Sequence, residues 1–302
     1  MNQCIKLIKL SAVIMMIAIN ISCQQDALSP MNEIMLDQNM SNETLEYIKS
    51  KGYSIENVKV INSVLYGKGY LVEGDVALYE QHFTDLNGPT LNIANEEQYR
   101  TSLLPVFGRI SRGRDGQEIR RKQQLIVGIS DNLPAIYRTA LVEAANRYNV
   151  VPSMRFSIYV PTINRPTHDI YISRGTGDYL ARSGPPFLRT YADGTTKVLP
   201  HGEILVNNGA IGNEPIDHIA SILAHEIGHC IGFRHTDYFN RSISCGGYAV
   251  NEDDYSNDQA IHIPGTPTGV DNDSWMLACI DNGENRPFTA YDTRALVEIH
   301  GW

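Results

Sequence analysis

The segment His225-Glu226-Ile227-Gly228-His229-Cys230-Ile231-Gly232-Phe233-Arg234-His235, with Asp217 to Ala224 ahead of it, constrains this chain more than any other. Residues four apart on a helix lie one above the other, so His225 and His229 present their imidazoles on one face, at a spacing that two ligands of one metal ion can use. Glu226 stands beside the first histidine and reaches a water on the open side of the ion rather than the ion itself. Gly232 can adopt the φ > 0 backbone that ends a helix and turns the chain, which lets His235 return to the same ion. Three neutral imidazoles leave a four-coordinate zinc with one open position, the arrangement that activates a water and polarises a carbonyl. Hydrolysis of an acyl bond is the expected chemistry, with Glu226 as general base. A metal-free role would bury two histidines and a glutamate together at an uncompensated desolvation cost. The rest of the segment reads structurally: Ile219, Ile222, Leu223, Ile227 and Ile231 face a core, and Ala220 and Ala224 permit close packing.

Further residues extend the pattern. His225 to His235 resembles the long zinc signature of the metzincin clan of metalloendopeptidases. Ile263 to Gly269, followed by Ser274-Trp275-Met276-Leu277-Ala278-Cys279, resembles the approach to that clan's methionine turn. The whole, with His-Thr-Asp after the glycine turn, is similar to the bacterial HEIGH metallopeptidases related to astacin-like enzymes. The likeness is specific over about 220–280 and looser from Val58 on. It implies an α+β fold: a metzincin-like catalytic domain with a twisted mixed sheet, an active-site helix and a small irregular C-terminal lobe, preceded by a propeptide-like segment. It also implies a zinc endopeptidase acting on protein or peptide substrates, with one catalytic zinc held by His225, His229 and His235 and with Met276 as an apolar floor beneath them. Astacin-like enzymes have a tyrosine two positions after the turn methionine, where this chain has Ala278. Oxyanion stabilisation then falls to the metal or to another side chain, with Tyr238 the candidate.

The N-terminal third has a different texture. Lys6 and Lys9 precede the apolar run Leu10 to Ile21, which has the form of an export signal over residues 1–22 and is too short for a stable membrane span. Ile21-Ser22-Cys23 resembles a loose lipobox, so a lipid anchor at Cys23 is expected, with an ordinary signal peptide as the alternative. The expected product is an exported monomer, on the bacterial outer membrane or cell surface or secreted after processing. A net charge of −9 with no long cationic run argues against nucleic acid as a partner. Residues 23–121 read as a tether and a propeptide-like region, with a weak helix near Leu45 to Lys51 and extended segments at Val58–Ile61 and Gly69–Leu78. Asp75, after Gly74, resembles the propeptide aspartate that takes the water position on zinc in astacin-like precursors. The alternatives are a plain turn aspartate and a thiolate block by Cys23. The basic clusters Arg109–Arg114 and Arg120–Lys122 read as an exposed connector and a processing site.

Residues 122–302 form the expected zinc metallopeptidase domain. Strands are predicted at Leu125–Ile129, Arg155–Val160, Asp169–Ile172 and Gly202–Asn207, with a helix to Asn149 capped by Asp131 or Asn132 and a closing helix capped by Thr289. Gly202–Asn207, directly ahead of the zinc helix, is the candidate edge for an extended peptide substrate. Cys230, Cys245 and Cys279 remain after export, and a disulfide using Cys245 is expected with either of the others. Calcium is weighed for the acidic runs Glu252–Asp254 and Asp271–Asp273, but neither has the spacing of a calcium loop, so solvated loops are expected. A surface-anchored binding module with a structural zinc is the other reading, and Glu226 separates the two, because a structural site has no use for a base.

Overall fold

The computed structural model describes residues 40–51, 53–84, 98–162, 167–247, 260–267, 269 and 271–302. All of these lie in one unit, Ile34–Trp302. The export signal, Cys23 and the run Glu252–Asp254 fall outside the described residues. Among the described residues no helix is long and apolar enough to cross a membrane.

Helix α1 (Asn42–Ser50) begins where the Ser41 side chain accepts from the Thr44 amide. Strands β1 (Lys59–Ser63), β2 (Gly67–Val72) and β3 (Val76–Tyr79) then form an antiparallel sheet. With α1 it closes a small apolar core that includes Leu45, Ile48, Val58, Val72 and Leu78. Next come β4 (Tyr99–Arg100) and an exposed hairpin of β5 (Arg109–Arg112) and β6 (Glu118–Arg121), which holds most of the two basic clusters.

The central part alternates strand and helix: β7 (Gln123–Ile129), α2 (Ala135–Asn149), β8 (Phe156–Tyr159), β9 (Ile170–Arg174), β10 (Ala181–Arg182), the hairpin of β11 (Phe187–Thr190) and β12 (Thr196–Leu199), β13 (Glu203–Val206), α3 (Asn208–Ile211) and α4 (Ile216–Ile231). After α4 come β14 (Phe233–Arg234), α5 (Ser242–Cys245), β15 (Ile261–His262) and α6 (Ala290–His300). The result is a mixed α/β domain with several sheets. Its main sheet has the order β10-β13-β9-β7-β8, parallel except for β10 against β13. Leu125, Val127 and Ile129 of β7 alternate inward and meet apolar residues of α2 and α4 in one core. Arg147 of α2 bonds the Ser221 hydroxyl (3.0 Å), and Tyr148 donates to the Ala224 carbonyl (2.8 Å), fastening α2 to α4.

Two expectations change here. Helix α2 ends at Asn149 as expected, but its N-cap is Pro134, with no side-chain cap bond from Asp131 or Asn132. The expected substrate edge, β13, lies inside the sheet; the edge beyond it is β10, two residues long and hidden in a Gly- and Pro-rich stretch with no readable period. Residues just after position 97 also belong to the central fold. Strand β4 pairs with both β14 and β15, and Phe107 packs on Phe156, with ring centroids 4.6 Å apart. The closing helix agrees with its expectation, since Thr289 and Asp292 form a reciprocal capping box.

His300, on the last turn of α6, is buried against Phe107, Phe156 and Phe233 and donates from Nε2 to the Ile231 carbonyl (3.0 Å). Burial pulls its pKa down from 6.5 to about 4, with Arg155 adding to the effect. The unfolded chain therefore takes up the proton first. Stability from the neutral imidazole is present above pH 6.5 and is lost as pH falls toward 4, a contribution of about 3 kcal/mol. Asp292, raised to about 6 by burial, acts in the opposite sense. A comparison of His300→Gln with the unaltered chain by urea unfolding isolates the histidine: the variant should lose less stability between pH 6.5 and 4. Parallel curves for the two proteins would refute the assignment.

Candidate metal centre

Helix α4 is apolar on nearly every face and is buried from His218 to Ile231. It stops where Gly232 turns left-handed (φ 113) and its amide bonds back to the Gly228 and His229 carbonyls. His225 and His229 thus sit one turn apart, and His235 returns beside them with ring centroids 5.4 and 4.9 Å from theirs. His225 Nδ1 donates to the Trp275 carbonyl and His229 Nδ1 to the Phe233 carbonyl, each at 3.0 Å. Those two bonds fix the tautomers and leave the Nε2 lone pairs pointing inward, where both atoms are buried without a hydrogen-bond partner. The closeness of Trp275 and Met276 to α4 depends on Gly228. A Cβ there would lie 2.6 Å from Met276 Sδ and 2.6 Å from the Trp275 ring. Met276 itself is fully buried.

The fourth group comes from the N-terminal sheet. Between β2 and β3 the chain turns through Glu73 (φ 55) and Gly74 (φ 89) and delivers the Asp75 carboxylate to the histidines. Asp75 Oδ2 is 3.1 Å from His235 Nε2, 3.5 Å from His225 Nε2 and 4.0 Å from His229 Nε2. All four ligand atoms lie within 4.8 Å of one another. Three neutral imidazole nitrogens and one carboxylate oxygen, with unsatisfied lone pairs converging, suit a single divalent ion.

Glu226 lies beside this centre, almost wholly buried, and its Oε2 accepts from the Ser183 hydroxyl at 2.7 Å. Burial first, and the Asp75 charge second, push its carboxyl well above the usual range. Ser183 follows the edge strand β10 and also holds the N-terminal segment. The Ala77 amide donates to the Ser183 carbonyl (2.5 Å) and the Ser183 amide to the Asp75 carbonyl (3.0 Å). A cleft of about 230 Å³ opens next to His225 and Glu226, walled by Leu180, Ile222, Leu277 and Ile280.

Other singled-out residues fall away from the centre. Tyr238 is buried with its ring edge on Tyr99, centroids 4.2 Å apart, and does not line the cleft. His218 pins α4 to the Glu284 carbonyl (2.9 Å). Cys245 bonds Cys279, leaving Cys230 buried and free. Among the described residues, the Asp75 and histidine group is the one cluster fit for a metal; Asp271 instead bonds the Thr289 hydroxyl and the Asp273 amide. Ser183, Glu73 and Arg241, which touch the centre or the turn that carries Asp75, have no pattern in sequence. Arg234 stands in plain view between Phe233 and His235 without revealing its partner.

Comparison with known proteins adds the family. No curated protein matches the chain. Among solved structures, the crystal structure of myroilysin aligns at 14% identity over 58% of this chain and 82% of that one, with a TM-score of 0.33. High choriolytic enzyme 1, a hatching-enzyme zinc protease of the medaka fish Oryzias latipes, aligns at 14% identity over 63% of this chain and 92% of that one, with a TM-score of 0.35. The sequence profile of the dual-action HEIGH metallo-peptidases matches residues 71–300. With that match covering most of the chain and the histidine cluster at its centre, the protein belongs to the HEIGH metallo-peptidase family and is a zinc metallopeptidase.

Proposed function

We propose that the chain is an exported zinc endopeptidase made as a latent precursor, with His225, His229 and His235 as metal ligands, Glu226 as general base and Asp75 as the latency ligand. The observation that carries this reading is the position of Asp75: a carboxylate from the N-terminal sheet within ligand distance of three histidines from the central domain. When bound, zinc supplies Lewis acidity, lowering the pKa of a water and polarising the scissile carbonyl. The chain's own residues do the rest. Glu226, held by Ser183, takes the proton of the attacking water and returns it to the leaving amine. Met276 gives the histidines an apolar floor, packed against α4 at Gly228. The residues Asp75 to Ala77 occupy the edge beside β10, where an extended peptide would gain main-chain bonds.

The active-site helix is α4, and the irregular stretch after His235, tied by Cys245–Cys279, is the C-terminal lobe of a metzincin-like domain. The blocking part is the sheet and helix of residues 40–84. The catalytic domain starts by Gln98 rather than at 122, because a cut at Arg121 would strip Tyr99 and Phe107 from the fold. Export rests on the leader in residues 1–22, with Cys23 as anchor, and the disulfide is in keeping with an oxidising compartment.

Metal analysis should find one zinc per chain and a sharp fall in His229→Ala; unchanged stoichiometry in that variant would sink the ligand set. Glu226→Ala should keep zinc and fold while peptide cleavage drops at least about a hundredfold, as expected for loss of a general base. Retained zinc with undiminished hydrolysis would assign the proton transfer elsewhere. Asp75→Ala should raise the basal activity of the uncut chain, whereas Asp193→Ala, in an exposed turn, should not. Equal activity of both variants and the unaltered chain would return Asp75 to the role of a turn residue.

A further inference from the structure

Two buried histidines meet where the sheet of β1 to β3 sits on the central domain, one from each side. His82 stands in the 3-10 turn Glu80–Thr84 that follows β3, and His201 stands two residues ahead of β13, with ring centroids 5.5 Å apart. Both nitrogens of His82 are committed to the neutral ring. Nδ1 accepts from the Tyr79 amide (2.8 Å), and Nε2 donates to the Pro185 carbonyl (3.1 Å), a bond that crosses from segment to domain. A proton on Nδ1 would set one N–H against another. His201 lies parallel to the Tyr79 ring, with the tilted Tyr66 ring 4.8 Å away, and its Nδ1 is buried without a hydrogen-bond partner. Gly184 lies against His201 on the domain side: a Cβ there would be 2.9 Å from the His201 ring and 2.5 Å from the Ala77 carbonyl.

The surroundings oppose a charge on either ring. On the segment side His82 faces Tyr79, and its carbonyl accepts from the Tyr47 hydroxyl; on the domain side it faces Pro185, Phe187 and His201. The small cavity that His82 lines has cations around it: Lys51, Arg100 and Arg234, the last paired with Glu73 at 2.9 Å. Arg182 adds its charge on the side of His201. Glu203 accepts from the Tyr79 hydroxyl (3.4 Å), and burial raises its own pKa. Burial holds His82 down to about 3, against the bond to Pro185, and burial followed by His82 and Arg182 holds His201 well below 6.5.

When the segment lifts, His82 leaves the Pro185 carbonyl and His201 loses the Tyr66 and Tyr79 rings, so each becomes an ordinary imidazole in water. The open form then takes up protons first. The hold provided by the neutral pair is complete above pH 6.5 and is lost as pH falls toward 3. We propose that His82 and His201 form an acid-sensitive seat for residues 40–84, which stay docked at neutral pH and lift from the domain in mild acid without a cut in the chain. The seat is continuous with the metal centre, because Ser183, which bonds the Asp75 carbonyl, lies two residues before Pro185, which bonds His82. Its consequence for activity rests on the reading of Asp75 as the latency ligand: acid then bares the centre of the intact precursor.

Hydrogen exchange on the full, zinc-loaded chain tests the seat. The opening constant of the β2 and β3 amides, corrected for intrinsic exchange, should rise between pH 7 and 5.5 about tenfold more in the unaltered chain than in His82→Gln, and about tenfold more than in His201→Gln. Parallel curves overturn the proposal. Should both substitutions loosen the sheet already at pH 7, the unaltered chain still decides: the ring of His82 should stay neutral to below about pH 4.5 while β2 and β3 remain protected, and titration near 6.5 in that protected state overturns the seat. Peptide cleavage by the uncut chain, taken relative to His82→Gln, should rise with the opening constant. Acid opening without that gain keeps the seat and overturns the latency role of Asp75, whereas unchanged opening overturns the seat and leaves the latency role standing.

Discussion

An imidazole offers a metal one lone pair in one direction, so a three-histidine centre depends on what holds the opposite nitrogen of each ring. For His225 and His229 that hold is a main-chain carbonyl, of Trp275 and Phe233 respectively. The Trp275 carbonyl is in turn placed by Asp292, at the start of α6. That carboxylate accepts from the Trp275 amide (3.2 Å), the Ser274 hydroxyl (2.9 Å), the Thr289 amide (2.8 Å) and Gln98 Nε2 (2.5 Å). A helix cap some way along the chain from the signature thereby aims one of its histidines. Gly228 completes the arrangement, because the turn bearing Trp275 and Met276 reaches α4 only where a side chain is missing.

Elements that rest on local rules were legible in sequence. The zinc helix showed in its apolar period and its histidine spacing, its end in Gly232, and the last helix in its Thr289 cap, since each is decided within a few residues. The Gly-Asp turn was visible too, though only the fold brings Asp75 to the histidines. What escaped depends on distant partners. Strand β10 has two residues and no period, and it becomes the sheet edge only because β13 lies beside it. Strand β4 is equally short and acquires meaning from β14 and β15. Ser183, whose hydroxyl meets Glu226 and whose backbone meets Asp75, has nothing in its own neighbourhood to distinguish it from other loop serines.

On the proposed reading, the segment of residues 40–84 is more than a ligand on a string. It has its own sheet, helix and apolar core, it bonds the β10 edge through its backbone, and it adds an ion pair at Glu73 to the contact at Asp75. Several weak holds on one folded piece act together.

If residues 40–84 are the proposed latency segment, their small core separates two events, cleavage and release. While the chain is continuous, Asp75 is a tethered ligand, and its occupancy of the centre is set by an effective concentration in the millimolar range or above, whatever the protein's dilution. On that reading a break in the backbone between Thr84 and Gln98 would not by itself dislodge it; it would turn the segment into an independent ligand whose apolar core goes with it. From then on mass action would govern, so the centre's occupancy by the severed segment would fall on dilution with no further chemistry.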